Sequence, residues 1–480
     1  MSKALGKLFG NPRNPLPTNP ATQKAERLNL IKFSRPHMRS FHFAWLGFLT
    51  AFTGWFAVAP LAPTIKKDLK LNPFQFNDSN IISVSSTIAF RILVGPLCDA
   101  IGPRKVMATL LLVGSIPVGL TGLANDREGL MIARFFVGIL GATFVPCQFW
   151  TMQMFDSNVV GSANAIAGGW GNMGAGITYL LMPVIMQWFV DGGRSTHDAW
   201  RLTLVVPACL LIVVGIACLL FTDDCPEGKW KNRGKLVEEE KIVEVHDAGD
   251  VDKEKKATTI EPANKQSTAT APPTSKLRAF YIALSNPNVW VLMVMYSCTF
   301  GVELAVDNVL ADFLFNHFHL TQKTAGLIGS LFGLMNLFSR ATGGFLSDFA
   351  SSRLGIRGRL LVQLLIMFFG GLFLFLFKFA VTTLTGAIIV LVIFSYFVQA
   401  GCGSSFGIVP FVNPAVSGAI SGLVGAGGNI GGLIFTIIFK KYSEDTPTAF
   451  MVIGCVVMTV AFTAFTLKVD GMRLASFRKS

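Results

Sequence analysis

Apolar runs of about 20 residues recur along most of the chain, each bounded by a short polar stretch. At about 1.5 Å per residue, a helix of that length crosses a hydrocarbon core of about 30 Å. The pattern predicts twelve spans, near 43–65, 80–99, 105–124, 129–155, 161–190, 202–222, 289–314, 323–349, 358–379, 383–405, 415–439 and 447–468. The expected class is an all-α membrane protein sitting in a lipid bilayer, helical rather than barrel. The polar stretch 223–286 carries Glu238-Glu239-Glu240, Lys253-Glu254-Lys255-Lys256 and then Ser, Thr and Pro. It lacks the apolar content to bury a core and reads as a flexible linker. The expected organisation is a tail (1–42), a six-helix half (43–222), the linker (223–286), a second six-helix half (287–468) and a tail (469–480).

Composition agrees. Of 480 residues, 51% are hydrophobic and 14% charged, against roughly 25% charged in soluble domains. Residues 1–40 are polar, with Pro12, Pro15, Pro17 and Pro20, so no cleavable signal is expected there. The net charge of +13 sits in tails and loops, which argues against nucleic acid and for membrane orientation. Basic residues before the first span, after the second (Arg104, Lys105), after the eighth (Arg353, Arg357, Arg359) and in the tail (Arg473, Lys479) share one face. The positive-inside rule makes that face, both termini and the linker cytoplasmic. Lys66, Lys67, Lys440 and Lys441 lie on the other face. None of the eight cysteines forms a CxxC pair, and they read as small buried hydrophobes. No metal site, cofactor site, nucleotide loop or nucleophile constellation is apparent, so no enzyme is expected.

The two halves repeat. The second span ends Arg91-Ile-Leu-Val-Gly95-Pro-Leu97-Cys-Asp99, and the eighth ends Arg340-Ala-Thr-Gly-Gly344-Phe-Leu346-Ser-Asp348. The fifth carries Gly171-Asn172-Met173-Gly174, and the eleventh Gly428-Asn429-Ile430-Gly431. Two matches at equivalent spans imply an internal duplication, and six plus six parallel repeats resemble the major facilitator superfamily. The stretch Gly95-Pro-Leu-Cys-Asp99-Ala-Ile-Gly102-Pro-Arg104-Lys105 resembles that superfamily's loop between spans two and three, departing at Ala100, where a basic residue is usual. The resemblance implies a gating latch built on Asp99 and Arg104, with Asp348 as the repeat's counterpart. The bland alternative is an interfacial anchor.

Arg91 and Arg340 each precede their Asp by eight residues, a depth of roughly 12 Å. A mid-membrane arginine costs several kcal/mol and faces a cavity or a partner. No acid lies near either arginine on its own span, so the pair is expected at a central cavity, without local counter-charge. That suits an anion, because a guanidinium fork matches a planar oxyanion bidentately. A structural ion pair is the competing reading. The amides of Asn172 and Asn429 lie at membrane depth, where an unsatisfied polar group is costly, and are placed to bind the same anion. The glycines of both stretches suit close helix packing.

With these stretches, the chain resembles the nitrate/nitrite porter family within the major facilitator superfamily, over its whole transmembrane part. Phe300-Gly-Val-Glu303-Leu-Ala-Val-Asp307-Asn308 is similar to the eukaryotic high-affinity branch. The resemblance implies nitrate between Arg91 and Arg340, with Asn172, Asn429 and their neighbours Gly171 and Gly428 at the site. It also implies Tyr296 and Phe300 beside nitrate; these lie four apart, on one helix face. Phe52, Phe149 and Trp150 are further candidate walls of an apolar cage that would dehydrate nitrate and exclude sulfate. Glu303 and Asp307, in the expected outer half of span seven, are candidates for proton carriage or an outer gate. All six histidines fall in tails, loops or span ends. The sequon Asn77-Asp78-Ser79 lies too close to span two to be used.

The expected function is import of nitrate, with nitrite as a second substrate, by alternating access and proton-coupled symport at the plasma membrane. Linker serines and threonines are candidate kinase sites. The sequence specifies no accessory subunit. Two rival readings are a transporter of another, organic anion and a nitrate-sensing receptor using the same site.

Overall fold

The computed structural model describes residues 15–20, 22–156, 159–232, 276–413, 416–469 and 471–474. Eleven helices are long and apolar enough to cross a membrane: His37–Asp68, Pro73–Ile101, Pro103–Leu123, Arg127–Met154, Val160–Asp191, Thr196–Phe221, Pro287–His317, Ile356–Ala380, Leu384–Val412, Ala419–Lys441 and Thr446–Phe465. The remaining span, eighth in chain order, runs from Gln322 to Leu334, passes through a 3-10 turn at Met335–Leu337, and resumes over Ser339–Leu354. The break divides it into pieces of 13 and 16 residues, neither long enough to cross a membrane by itself. The twelve expected spans are thus all present as helices.

Polar caps at one surface mark where spans begin. Every even-numbered span starts at the end of the bundle remote from the linker, and each has a side chain capping its first turn: Asn72, Asp126, Ser195, Thr321, Thr383 and Asp445. A cap of this kind satisfies an amide that the helix leaves without a partner. At Asn72 the cap is reciprocal, since Gln75 returns a bond to the Asn72 amide.

The packing repeats as the sequence does. Span one packs on five as seven packs on eleven. Three packs on six as nine on twelve, and four on two as ten on eight. The contact between halves repeats too, with two against eleven and eight against five. At mid-depth the crossing of five and eight is backbone on backbone: a Cβ on Gly176 would lie 2.5 Å from the Leu334 amide nitrogen. Toward the linker end these crossing helices have open space around Gly95, Gly161 and Gly422. At the remote end the halves are clasped by ion pairs of Lys66 with Asp312, 2.7 Å, and Lys440 with Asp78. The helices therefore touch at mid-depth and are tied at the remote end.

The expected tail and linker are partly folded in. Ala25 donates its amide to the Met154 carbonyl at the end of span four, and its own carbonyl accepts from the Asp156 amide. The first residues of the expected linker also pack on the N-terminal half. The Asp223 carbonyl accepts from Ser40 and Trp150, and Trp230 donates to the Asp99 carbonyl. A helix, Lys276–Leu284, precedes span seven. The charged runs at 238–240 and 253–256 lie outside the described residues. After span twelve, Lys468–Val469 pairs antiparallel with Met472–Arg473, and Asn288 holds Lys468.

Candidate anion site

Two broken helices build the site. Span seven is interrupted at Cys298 and Thr299, between Pro287–Ser297 and Phe300–His317. The break makes Glu303 a first-turn residue of the second piece, where a carboxylate is favoured by the helix dipole. Span eight breaks immediately before Ser339, so Arg340 leaves from the start of its second piece.

The two arginines share one ring. The Arg91 guanidinium lies 5.5 Å from the centre of Phe300 and that of Arg340 lies 5.7 Å from it. Arg91 also lies 5.0 Å from Phe144. Desolvated cation–π contacts of this kind contribute about 2 kcal/mol. Tyr296 stacks on Phe300 at 5.5 Å and 13°, as two rings four residues apart should. Gly428 makes room for them, since a Cβ there would lie 2.7 Å from Phe300 and 2.8 Å from Tyr296.

The two guanidiniums differ in their partners. Arg91 donates from Nε to the Gly141 carbonyl at 2.9 Å. Its Nη1 and Nη2 are buried and have no hydrogen-bond partner. Arg340 is not without a counter-charge, contrary to expectation. Its Nη2 meets Glu303 Oε2 at 2.8 Å, and Asn336 donates to Glu303 Oε1 at 2.6 Å. Both side chains are almost wholly buried, at 4% and 1% exposure. The acid comes from another span, so a search along the arginine's own span misses it. Glu303 accordingly sits at the depth of the arginines rather than in an outer gate.

Other orphaned polar atoms complete the site's chemistry. Neither amide atom of Asn172 has a partner, and Asn172 is fully buried. Asn429 donates to the Gly425 carbonyl and leaves its Oδ1 unpartnered. The Tyr296 hydroxyl lies beside Arg340 without a well-formed bond. A buried donor without a partner costs about 1–3 kcal/mol. Arg91 Nη1 and Nη2, Asn172 Nδ2 and the Tyr296 hydroxyl are donors left unpartnered, a set that a small, planar oxyanion would satisfy; the orphaned Asn429 Oδ1 is an acceptor and is not part of that set.

The remaining expected residues fall elsewhere. Gly171 lies under the Phe48 ring of span one, and Phe52 forms a layer behind, against Phe48, Trp55 and Phe56. Phe149 packs on Trp230, and Trp150 donates to the Asp223 carbonyl. These two line the linker end, not the arginines. The aromatic of span four that reaches Arg91 is Phe144, which also faces Phe300 at 6.3 Å and Phe406 at 6.4 Å. The signal for it was present: Gly141-Ala-Thr-Phe144 on span four repeats as Gly403-Ser-Ser-Phe406 on span ten, and Phe406 meets Tyr296 edge-on at 5.1 Å.

A third buried arginine, Arg134, also escaped sequence reading. It donates to the Trp55 carbonyl, to Asn80 and, across the halves, to Asn308. Asp307 is buried one turn beyond Glu303, and its backbone carbonyl accepts from Tyr179 of span five.

The loop-motif charges pair within their own halves. Arg104 meets Asp224 at 3.2 Å and donates to the Thr222 carbonyl, and Asp348 meets Arg359 at 2.6 Å. Burial pushes the Asp224 carboxyl above the usual carboxylate range, against the pull of Arg104.

Comparison with known proteins follows this geometry. Residues 44–436 match the family model of the Major Facilitator Superfamily. The chain is 37% identical to the high-affinity nitrate transporter 2.3 of Oryza sativa subsp. japonica, covering 93% of this chain and 81% of that one. It is 37% identical to the high affinity nitrate transporter 2.5 of Arabidopsis thaliana, covering 89% and 78%. Among solved structures, a bacterial homologue of the human lysosomal transporter Spinster, inward-facing and occupied, superposes with a TM-score of 0.63 at 14% identity, covering 89% and 96%. These relatives are transporters, not enzymes. The shared helical fold, the duplicated halves and the similarity over nearly the whole chain lead to one placement: this multi-pass membrane protein belongs to the major facilitator superfamily and, within it, to the nitrate/nitrite porter family.

Proposed function

We propose that the protein imports nitrate, with nitrite as a second substrate, across the plasma membrane by alternating access and with protons as the coupling ion. The observation that carries this reading is the Arg91 guanidinium, buried with Nη1 and Nη2 unpartnered and sharing the Phe300 ring with Arg340. A planar anion of three oxygens takes two parallel N–H bonds from such a fork. Asn172 Nδ2 and the Tyr296 hydroxyl are the further donors in this reading, and Asn429 joins them by releasing its Nδ2 from the Gly425 carbonyl. The rings of Phe300, Phe144 and Tyr296 exclude water and disfavour a more strongly hydrated anion such as sulfate. High-affinity nitrate transporters among the relatives support the choice of anion.

The ion-pair clasp at the remote end is what an alternating-access cycle needs of a state closed on that side. With termini and linker on the cytoplasmic side, the clasped end faces outward. Linker phosphorylation is a plausible route of regulation.

Purified full-length protein in liposomes, loaded with labelled nitrate outside and an inward proton gradient, tests the reading. Uptake that unlabelled nitrate and nitrite suppress, and that sulfate and organic carboxylates do not, is expected. Absence of flux would favour a sensor, and suppression by an organic anion would favour a different cargo; either overturns the proposal.

A further inference from the structure

We infer that Glu303 is the proton-binding group of the transport cycle, and that it couples proton to anion by competing with the anion for Arg340. The inference rests on the nitrate reading above and assigns its coupling residue.

Glu303 sits where an anion would. Its Oε2 accepts a hydrogen bond from Arg340 Nη2 at 2.8 Å, its Oε1 accepts one from Asn336 at 2.6 Å, and the Cys402 thiol lies 3.6 Å from Oε2. The site is therefore not two bare cations. It is one fork, Arg91, with Nη1 and Nη2 unpartnered, and one fork already holding a carboxylate. An arriving nitrate that bridges both forks must take Arg340 from Glu303. A displaced carboxylate would then be left charged, fully buried and beside another anion, which is among the costliest arrangements in a protein interior. Protonation removes that cost. One proton adds to Glu303 Oε2, the carboxyl becomes neutral, Oε1 keeps its bond from Asn336, and Arg340 Nη2 is released to the anion. Anion and proton together leave the net charge of the site unchanged, so loaded and empty carriers meet the same barrier to reorientation. An anion without a proton, or a proton without an anion, would not.

The surroundings leave Glu303 as the group in position. On its own helix Asp307 is one turn away and buried, and among the described residues its carboxylate is in no ion pair with Arg91 or Arg340. Span eight contributes Arg340 and Asn336, and span ten Cys402. Tyr296 precedes it on span seven, and Arg91 of span two lies across Phe300. Span eleven offers the amide of Asn429, while its Lys440 is engaged with Asp78 at the remote end. Lys66 of span one is engaged there with Asp312. Among these, only Glu303 is an acid bonded to a site arginine.

The test measures nitrate binding and transport in the full-length protein against pH. Where the empty pair is ionised, uptake of one proton per nitrate makes the wild-type Kd rise about tenfold per pH unit. A weakly buffered solution with an indicator dye should show about one proton taken up per nitrate bound. Glu303→Gln, which carries the neutral form permanently, should bind nitrate with a flat pH profile. It should also retain nitrate/nitrate exchange and lose accumulation driven by a proton gradient. Wild-type protein that binds nitrate with no proton uptake overturns the inference and leaves the nitrate reading intact, and this measurement does not depend on the variant folding. A folded Glu303→Gln protein that still accumulates nitrate on a proton gradient also overturns it. Wild-type protein that binds no nitrate overturns the parent reading, and the inference with it.

Discussion

A single methyl group placed at Gly428 tests whether the aromatic pair is part of the anion site. The Cβ of Gly428→Ala would stand 2.7 Å from Phe300 Cδ1 and 2.8 Å from both Tyr296 Cδ1 and Cε1. Carbon atoms prefer about 3.5–4.0 Å, so the stacked rings must withdraw by roughly 1 Å. Phe300 cannot move alone, because both guanidiniums lie on it. Forcing a methyl into a packed region costs about 1–3 kcal/mol. If that cost is expressed in the loaded site, the Kd for nitrate rises roughly 5- to 140-fold, at about 1.4 kcal/mol per decade. Gly422 on the same helix is the control, since a Cβ there meets nothing within 4 Å. Gly422→Ala should stay within about 0.5 kcal/mol of wild type, as surface changes usually do. The assay is equilibrium binding of labelled nitrate to purified protein, with a thermal unfolding curve to show that each variant is folded. A folded Gly428→Ala protein with wild-type affinity, or a Gly422→Ala protein equally impaired, would refute the placement of the rings at the site.

Four further outcomes are expected. Arg91→Lys keeps the charge and loses the fork, so nitrate affinity should fall at least tenfold, because charge-assisted bonds contribute about 1.5–3 kcal/mol; unchanged uptake kinetics would remove Arg91 from the site. Asn172→Leu removes two buried unpartnered polar atoms, so the empty protein's Tm should hold or rise while nitrate binding is lost; a fall in Tm with binding retained would show a packing role. Asp78→Asn combined with Asp312→Asn unties the remote clasp, and at about 0.2–1 kcal/mol per partly exposed pair it should raise the labelling of a cysteine introduced between the halves at that end severalfold; unchanged labelling would show that the clasp does not hold this state. Deleting residues 238–270 should leave nitrate binding intact, whereas deleting 223–232 removes Asp223, Asp224 and Trp230 and should lower thermal stability; the reverse order would contradict the packing seen at the linker's root.

The sequence by itself determined the class, the twelve spans, the duplication and the family. Those depend on short-range properties: runs of apolar residues, charges in loops, and repeated words such as Arg91-x3-Gly95 and Gly171-Asn172. It also singled out Arg91 and Arg340, because a charge at depth is visible along one strand of text, while Tyr296 and Phe300 entered through the family resemblance. Tertiary structure alone decided what each of these touches. The partner of Arg340 is 37 residues away on another span, and Glu303 reached it only because span seven breaks at Cys298–Thr299. The break carries neither proline nor glycine at those two positions, so nothing local announces it. Phe144 displaced Phe149 and Trp150 for a similar reason: the depth and rotation of span four, set by packing against spans one and two, choose which of several aromatics on one helix reaches the arginines. Hydropathy is nearly blind to that rotation in a membrane, because the lipid-facing and core-facing sides of a span are both apolar.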